Sequence, residues 1–424
     1  MRITILTFGS RGDAAPLIRL GEKLQDKGHE VTILATTDSK ELIEQSGLKF
    51  HSAQLNTRSV LKTELGQQLL AAQGNGLKAL FIWRNLVKTH AGNLRQMFEQ
   101  ASQDADLIIF TLSTFAGHTV AEKMGIPSIA VSFFPITPTK AFPVFMFKGR
   151  LGGQLNRFSY RIFEFLYQKL IVEGENINSW REELGLAPYK NGPFTTLRAS
   201  GVPHLYPFSP AIFPNQPGWS ANTHVTGYWH LDEPGWQPTQ ALLDFMEKGS
   251  QPVYFGFGSM AIQKPLEVTK TILEALAKTG QRAILSKGWA GIGEGMELPA
   301  TVFLVDAVSH DWLFQRVSAV VHHGGVGTTH SSLRAGRPTL IVPFTTDQPM
   351  WGATLHRYGM SPKPIPIKKL TSDRLAKALL EMKSENMIER ARQVGVQVRS
   401  ENAVDKAVAV IEQALLNQLV PALV

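Results

Sequence analysis

Nine short apolar runs, each closed by a glycine turn or a helical pattern, constrain this chain more than any other feature. In the first half they are ITILTF (3–8), VTILA (31–35), LIIF (107–110) and IPSIAVSF (126–133). In the second half they are VYFGFG (253–258), RAILS (282–286), TVFLV (301–305), SAVVHH (318–323) and TLIVP (339–343). Runs that are apolar at consecutive positions belong to strands covered on both faces, and alternation with helices makes those strands parallel. The first unit shows the pattern: ITILTF, a glycine turn, then Pro16, Leu17, Leu20 and Leu24 at helical spacing up to Gly28. The fold class expected is α/β, two Rossmann-like doubly wound parallel-sheet domains.

The alternation breaks once. From Pro203 to Pro238 the chain carries seven prolines around LYPFSPAIFPNQPGW and reads as an extended connector. The expected domains are therefore 1–225 and 226–400, followed by an amphipathic helix within 401–424, with Val404, Ala407, Val408, Ile411, Ala414 and Leu415 along one side. A chain of 424 residues suits two cores of this size.

Composition narrows the chemistry. With no cysteine, disulfides, thiolate metal sites and Cys nucleophiles are excluded. The formal charge of +8 is spread along the chain without a basic block, which argues against nucleic acid and suits an anionic small molecule or loose contact with an anionic bilayer. MRITILTFGSRGD has too short an apolar stretch for a signal peptide, so a cytoplasmic protein is expected.

Three stretches are candidate sites. FGFGSMA carries Gly256, Gly258 and Ala261 in a G-x-G-x-x-A pattern, but the following strand ends in Ser286 and Lys287 rather than in an acid for a ribose hydroxyl. A nicotinamide oxidoreductase is disfavoured accordingly. HHGGVGTTHSSLRAGRP (322–338) lacks the lysine of an ATP-binding loop. A helix starting near Val326 or Gly327 would there present unpaired N–H groups and partial positive charge, with glycines for close approach and His323, Thr328 and Thr329 as donors, an arrangement suited to a diphosphate. PFTTDQPMWG places Asp347 and Gln348 at a strand end, where they suit sugar hydroxyls or form a simple turn before Pro349. No metal is expected: His322 and His323 point to opposite faces of a strand, and Asp104-Ala105-Asp106 precedes its strand instead of following it.

VHHGGVGTTHSSLRAGRPTLIVPFTTDQPMWG resembles the nucleotide-sugar signature of the bacterial and fungal branch of the UDP-glycosyltransferases, which includes sterol glucosyltransferases and antibiotic-glycosylating enzymes. TFGSRGDAAPLIRLGEKLQDKGHEVTILAT, FPITPTKAFP (134–143) and DAVSHDWLF (306–314) resemble the same family, in its order. The resemblance implies the GT-B fold, two such domains facing across a cleft, with the C-terminal helix crossing back to the first. It places His323, Gly325, Gly327, Thr328 and Thr329 on the diphosphate, Gly258 and Ser259 on the facing loop, Val308 and Trp312 on the base, and Asp347 and Gln348 on the sugar. Ser309 stands where a proline is usual, and Ser331 where the plant branch has a ribose-binding Glu, which leaves UDP- and dTDP-sugars both open as donors. Asp13 falls on the position of the catalytic base. Its alternative reading is a helix N-cap before Ala14.

The activity implied is an inverting, metal-independent transfer of a hexose, glucose from UDP-glucose foremost, with no cofactor beyond the donor. Phenylalanine and proline between 133 and 147, and the Phe-studded segment 158–167, suggest an apolar pocket for a hydrophobic alcohol such as a sterol, terpenoid, polyketide or lipid. Ser10, Arg11, Gly12, Phe134, Pro135, Phe142 and Phe145 are the candidate acceptor contacts. A dTDP-deoxysugar enzyme, a nucleotide-sugar hydrolase or epimerase, and a non-catalytic binder are the alternatives.

Overall fold

A computed structural model describes residues 1–71, 76–147, 149, 151–233, 235–260, 262–345 and 347–419. Ala261 of the FGFGSMA pattern and the last residues of the 401–424 segment lie outside them. The chain divides into two compact units, Met1–Leu231 together with the C-terminal segment from Asn402, and Asp232–Glu401.

The first unit holds a seven-stranded sheet of β1 (Arg2–Leu6), β2 (Glu30–Ala35), β3 (Lys49–Ser52), β4 (Leu107–Thr111), β5 (Ser128–Val131), β6 (His204–Tyr206) and β7 (Thr223–Val225), in the order β3-β2-β1-β4-β5-β6-β7. The second holds five strands, β8 (Val253–Gly256), β9 (Ala283–Ser286), β10 (Val302–Val305), β11 (Ala319–His322) and β12 (Thr339–Ile341), in the order β10-β9-β8-β11-β12. Every pairing is parallel. Both sheets therefore reverse their winding beside their first strand, between β1 and β4 and between β8 and β11. In open α/β sheets the crevice at that reversal, outside the carboxyl ends of the strands, is where ligands bind.

The two-sided apolar runs are explained by the second unit's packing. Phe255, Leu285 and Val321 point into one cluster, with Ile272, Leu276, Leu375 and Leu379 from the covering helices. Their neighbours Tyr254, Ile284 and Val320 point into another, with Leu313 and Phe314. Alternate side chains of the same strands thus fill opposite layers, so no position in them can be polar without a partner.

The Pro-rich stretch is not only a connector, as its composition suggests. It contributes β6 and β7, placed at the end of the sheet, where a missing ladder donor is tolerated. Tyr206 of β6 anchors it: its hydroxyl accepts from the backbone N–H groups of Ile136 (3.0 Å) and Thr137 (2.8 Å). Strand β3 is likewise absent from the apolar runs, because KFHS is short and polar; its Lys49 pairs with Glu30 of β2 on the surface.

The C-terminal helix Ala403–Leu419 packs on the helix Arg11–Asp26 of the first unit. Ala407, Val408, Ile411 and Leu415 are buried there, and Lys23 pairs with Asp405 at 3.0 Å. Ile411→Ala is expected to lower the stability of the first unit by about 2–5 kcal/mol, the ordinary loss for a fully buried large-to-small change. Urea unfolding followed by tryptophan fluorescence measures it, and a change below about 0.5 kcal/mol would mean that the helix is not docked.

Candidate active site

The reversal point of the second sheet is lined by two glycine loops. One follows β8, with Gly258 at φ +56°, and the other follows β11, with Gly324 at φ +99°. His322, the last residue of β11, is buried; its Nδ1 accepts the Gly324 N–H at 3.0 Å, which fixes the turn and leaves the ring proton on Nε2. Burial keeps this imidazole neutral.

His323 turns the other way and lodges between the loops. A Cβ on Gly258 would lie 3.0 Å from its Cε1, and a Cβ on Gly325 only 2.4 Å from its Nε2. Gly325 is thus required by the imidazole, whereas Gly258 is required first by its positive φ and only then by the ring beside it. Burial lowers the His323 pKa to about 4, so at neutral pH it offers hydrogen bonds without charge. The loop after β9 braces this arrangement: the Trp289 N–H donates to the Gly258 carbonyl at 2.9 Å.

The helix Val326–Ala335 begins at Val326, one of the two starts the sequence predicts, with Gly325 as its N-cap. No side chain caps it, and its first turn holds no carboxylate. Its first N–H groups and the positive end of its dipole are therefore not neutralised by the protein itself. Gly327 and Thr328 are half-exposed, whereas Thr329 is fully buried. The buried Thr329 Oγ1 and His323 Nδ1 have no hydrogen-bond partner among the described residues. Ser259 is half-buried on the loop after β8.

The neighbouring candidates are already engaged. Trp312 packs on Trp236 with the rings tilted at 49° (centroids 5.4 Å apart), and the Arg316 guanidinium lies 4.6 Å from its ring centre. Val308 is half-buried beside it, and Ser309 caps the short helix His310–Leu313 by accepting from the Trp312 N–H at 3.4 Å. Asp347 Oδ2 accepts from Trp351 Nε1 at 2.8 Å. The Gln348 side chain is buried, with Oε1 accepting from Phe344 N–H (2.8 Å) and Thr345 N–H (3.2 Å) and Nε2 directed to Met260 Sδ (3.3 Å). As the structure stands, Gln348 shapes the loop after β12 and bridges to the loop after β8.

In the first unit, Asp13 occupies the equivalent place, in the first turn of the helix that follows β1. It is not the N-cap. The helix begins two residues earlier, at Arg11, with Ser10 as its cap. Asp13 closes a capping box: its Oδ2 accepts from the Ser10 N–H at 2.8 Å and from the Ser10 hydroxyl at 3.4 Å. Ser10 Oγ in turn accepts from the Gly12 N–H at 3.4 Å. Burial raises the Asp13 pKa to about 6 against the pull of these Ser10 bonds. Tyr228, which no sequence motif singles out, has its pKa raised by burial and then by the charge of Asp13, so its phenol stays protonated. Arg11 and Gly12 are exposed at the same turn.

Gly9 is needed here for two reasons: its φ is +142°, and a Cβ would fall 2.2 Å from Asp13 Oδ2. Gly9→Ala is therefore expected to displace the carboxylate and lower turnover by about tenfold or more. Kinetics with the folded variant test it, and wild-type kcat would show that the Asp13 position is unimportant.

The expected acceptor residues split. Phe134 and Phe145 form a half-exposed pair with centroids 4.4 Å apart, and Phe145 continues onto Phe163 at 5.4 Å. Pro135 and Phe142 are buried, Phe142 packing on Phe213 at 5.3 Å. Asp104 and Asp106 both face Arg2, and among the described residues no three carboxylates, histidines or cysteines converge as metal ligands.

Two parallel α/β units with ligand crevices at their reversal points form the GT-B fold, and solved glycosyltransferases superpose on the chain. The glycotransferase of kitacinnamycin gives a TM-score of 0.74 at 18% identity, covering 98% of this chain and 99% of that one. The calicheamicin glycosyltransferase gives 0.69 at 17% identity, covering 99% of each. A glycosyltransferase solved with dTDP, VinC, gives 0.65 at 19% identity, covering 98% of this chain and 100% of that one. Residues 3–143 match the model of the glycosyltransferase family 28 N-terminal domain, and residues 270–417 that of the erythromycin biosynthesis protein CIII-like C-terminal domain. The chain belongs to the GT-B glycosyltransferases, with a family 28 N-terminal domain and an erythromycin biosynthesis protein CIII-like C-terminal domain. Among its relatives, a sterol 3-beta-glucosyltransferase of Cryptococcus neoformans var. neoformans serotype D is 35% identical over 446 residues, which covers 98% of this chain and 27% of the relative. A sterol 3-beta-glucosyltransferase of Arabidopsis thaliana is 34% identical over 419 residues, covering 96% of this chain and 64% of the relative. The chain thus spans about a quarter of the fungal relative's length and under two thirds of the plant one's.

Proposed function

We propose that the protein transfers a hexosyl group, glucose in the first instance, from a nucleotide diphosphate sugar to the hydroxyl of a hydrophobic acceptor, with inversion. The observation that carries this reading is the helix start at Gly325, without side-chain cap or first-turn carboxylate, with neutral His323 wedged beside it. A diphosphate gains most from such a site as it leaves, because its charge grows while the N–H donors and dipole are already in place. Asp13 is the base: Oδ2 is held by Ser10, and the carboxylate, with a pKa of about 6, is mostly ionised at neutral pH yet basic enough to take the acceptor proton as the C–O bond forms. Glucose is the leading sugar, because sterol glucosyltransferases are relatives along nearly the whole of this chain, and UDP is its leading carrier on the resemblance of the 322–338 stretch. A sterol or similar apolar alcohol follows as acceptor on the same ground. dTDP-sugars are the second reading, favoured by the dTDP bound in a solved neighbour of the same fold.

Titration with UDP, dTDP and their glucose conjugates tests the donor, and a panel of apolar alcohols read by mass for hexose gain tests the transfer. Absence of affinity for all of these nucleotides would end the proposal. Since the helix dipole and neutral donors take the role of a cation, a chelator such as EDTA is expected to leave the rate within about twofold. A loss restored by added magnesium would show that a metal shares the diphosphate.

A further inference from the structure

We propose that the outer face of the helix Gly153–Tyr167 seats the protein on an anionic lipid bilayer. Leu155, Phe158, Ile162 and Phe165 recur at spacings of three and four and share one face. Leu155 is 60% exposed, Phe158 53% and Phe165 61%. Four of the eleven large apolar side chains exposed among the described residues fall between Leu151 and Phe165, which makes them a patch rather than scatter.

The helix cannot roll to hide them, because its inner face is already committed. Ser159 Oγ accepts from the Val144 N–H at 2.9 Å, the Tyr160 hydroxyl donates to the Phe142 carbonyl at 3.3 Å, and Phe163 stacks on Phe194 at 5.7 Å. The composition of 158–167 suggests a pocket lining throughout, and the helix divides it instead. Phe163 and Tyr167 turn inward, but Phe158 and Phe165 face outward.

Charge selects the occupant. Arg157 and Arg161 are exposed along one edge of the apolar stripe, and neither makes an ion pair among the described residues. Exposed Lys140 lies at the start of the helix, where its carbonyl accepts from Asn156 Nδ2 at 2.9 Å. The helix has one carboxylate, Glu164, and it is turned away onto Thr195 Oγ1 (3.0 Å) and Arg198 (3.2 Å). A face of Leu, Ile and Phe edged by arginines without a competing acid is complementary to acyl chains beneath phosphate headgroups. The stripe from Leu155 to Phe165 is about 15 Å long and no wider than one helix, about 10 Å, so it covers roughly 150 Å², small beside the roughly 800 Å² per partner that a stable protein interface buries. With its other face packed on the protein, the helix can meet a bilayer only along its length, in the interfacial plane.

Flotation of the purified chain with vesicles of phosphatidylcholine alone or mixed with phosphatidylserine tests this without any nucleotide sugar, so its outcome is independent of the proposed activity. Binding to the phosphatidylserine vesicles is expected, weakening with added salt. The double variant Phe158→Ser with Phe165→Ser should reduce the bound fraction about tenfold, and Arg157→Glu with Arg161→Glu should remove the preference for anionic lipid. Leu380→Ser with Ile388→Ser, exposed apolar positions of the second unit, should leave binding unchanged. All these side chains are exposed, so circular dichroism should report intact folds. Three results overturn the proposal: no flotation of the wild type, flotation of the Phe158/Phe165 variant equal to the wild type, or a wild-type dimer that this variant dissolves without any vesicle binding.

Discussion

Replacing Asp13 by Asn lowers kcat by about 10²–10⁴-fold and leaves the affinity for UDP unchanged, the range expected when a positioned general base is lost. Asparagine keeps the acceptor atom and the volume, so the bond from the Ser10 N–H at 2.8 Å has a counterpart and the helix start survives. Asp13→Ala removes both functions and should cost a further ~1 kcal/mol of stability. The sign of the pH effect follows from the raised pKa. The folded chain binds the Asp13 proton more tightly than the unfolded chain, so wild-type stability is greatest, as far as this group is concerned, below the unfolded value of 3.8 and falls as pH rises to about 6. The upper bound of that loss is about 3 kcal/mol, reduced by solvent screening at this half-buried carboxylate. Asp13→Asn does not titrate and escapes the loss. It should therefore be at least as stable as wild type above pH 6 while being nearly inactive, and wild-type kcat/KM should rise with pH through a midpoint near 6. A variant with near-normal turnover, or a flat profile from pH 5 to 7, would remove Asp13 from the base role.

Gly325→Ala weakens UDP by about tenfold to a hundredfold, the worth of one to two hydrogen bonds to a charged group. The backbone there is ordinary, φ −62° and ψ 142°, so alanine brings no strain of its own. Its Cβ would lie 2.4 Å from His323 Nε2, and the ring has to leave its slot. The effect is transmitted through His323, so His323→Ala should lose as much affinity, and combining the two should add little. Gly325→Ala binding UDP as wild type does, in calorimetric titration, would show that the imidazole position is irrelevant to the phosphates. An additive double variant would show that Gly325 acts by another route.

Legibility in the amino-acid sequence depends on how local each feature is. The strand runs such as LIIF and VYFG are legible because burial on both faces leaves no polar position, and the helix start at Val326 because its glycines and threonines follow a strand directly. KFHS and the HLY and THV strands within the Pro-rich stretch are not, since short strands away from the sheet centre carry no apolar run and their pairing comes from distant neighbours. Asp13 is singled out by its motif, but its capping box with Ser10 is hidden because Arg11-Gly12 is a poor-looking first turn. The resemblance aims Gln348 at a sugar, and the folded loop gives its amide backbone N–H groups to accept from.

By itself the sequence determined the two parallel sheets, their order along the chain and the positions of their glycine turns, because strand and helix periodicities are properties of a few consecutive residues. The tertiary structure alone decided three further things. It brought Gly258 against His323 from another strand of the sheet, it shielded Asp13 enough to raise its proton affinity, and it turned Phe163 inward while leaving Phe158 and Phe165 in water. Each depends on which distant atoms exclude solvent from a side chain, and desolvation is set by the packed neighbourhood rather than by adjacent residues.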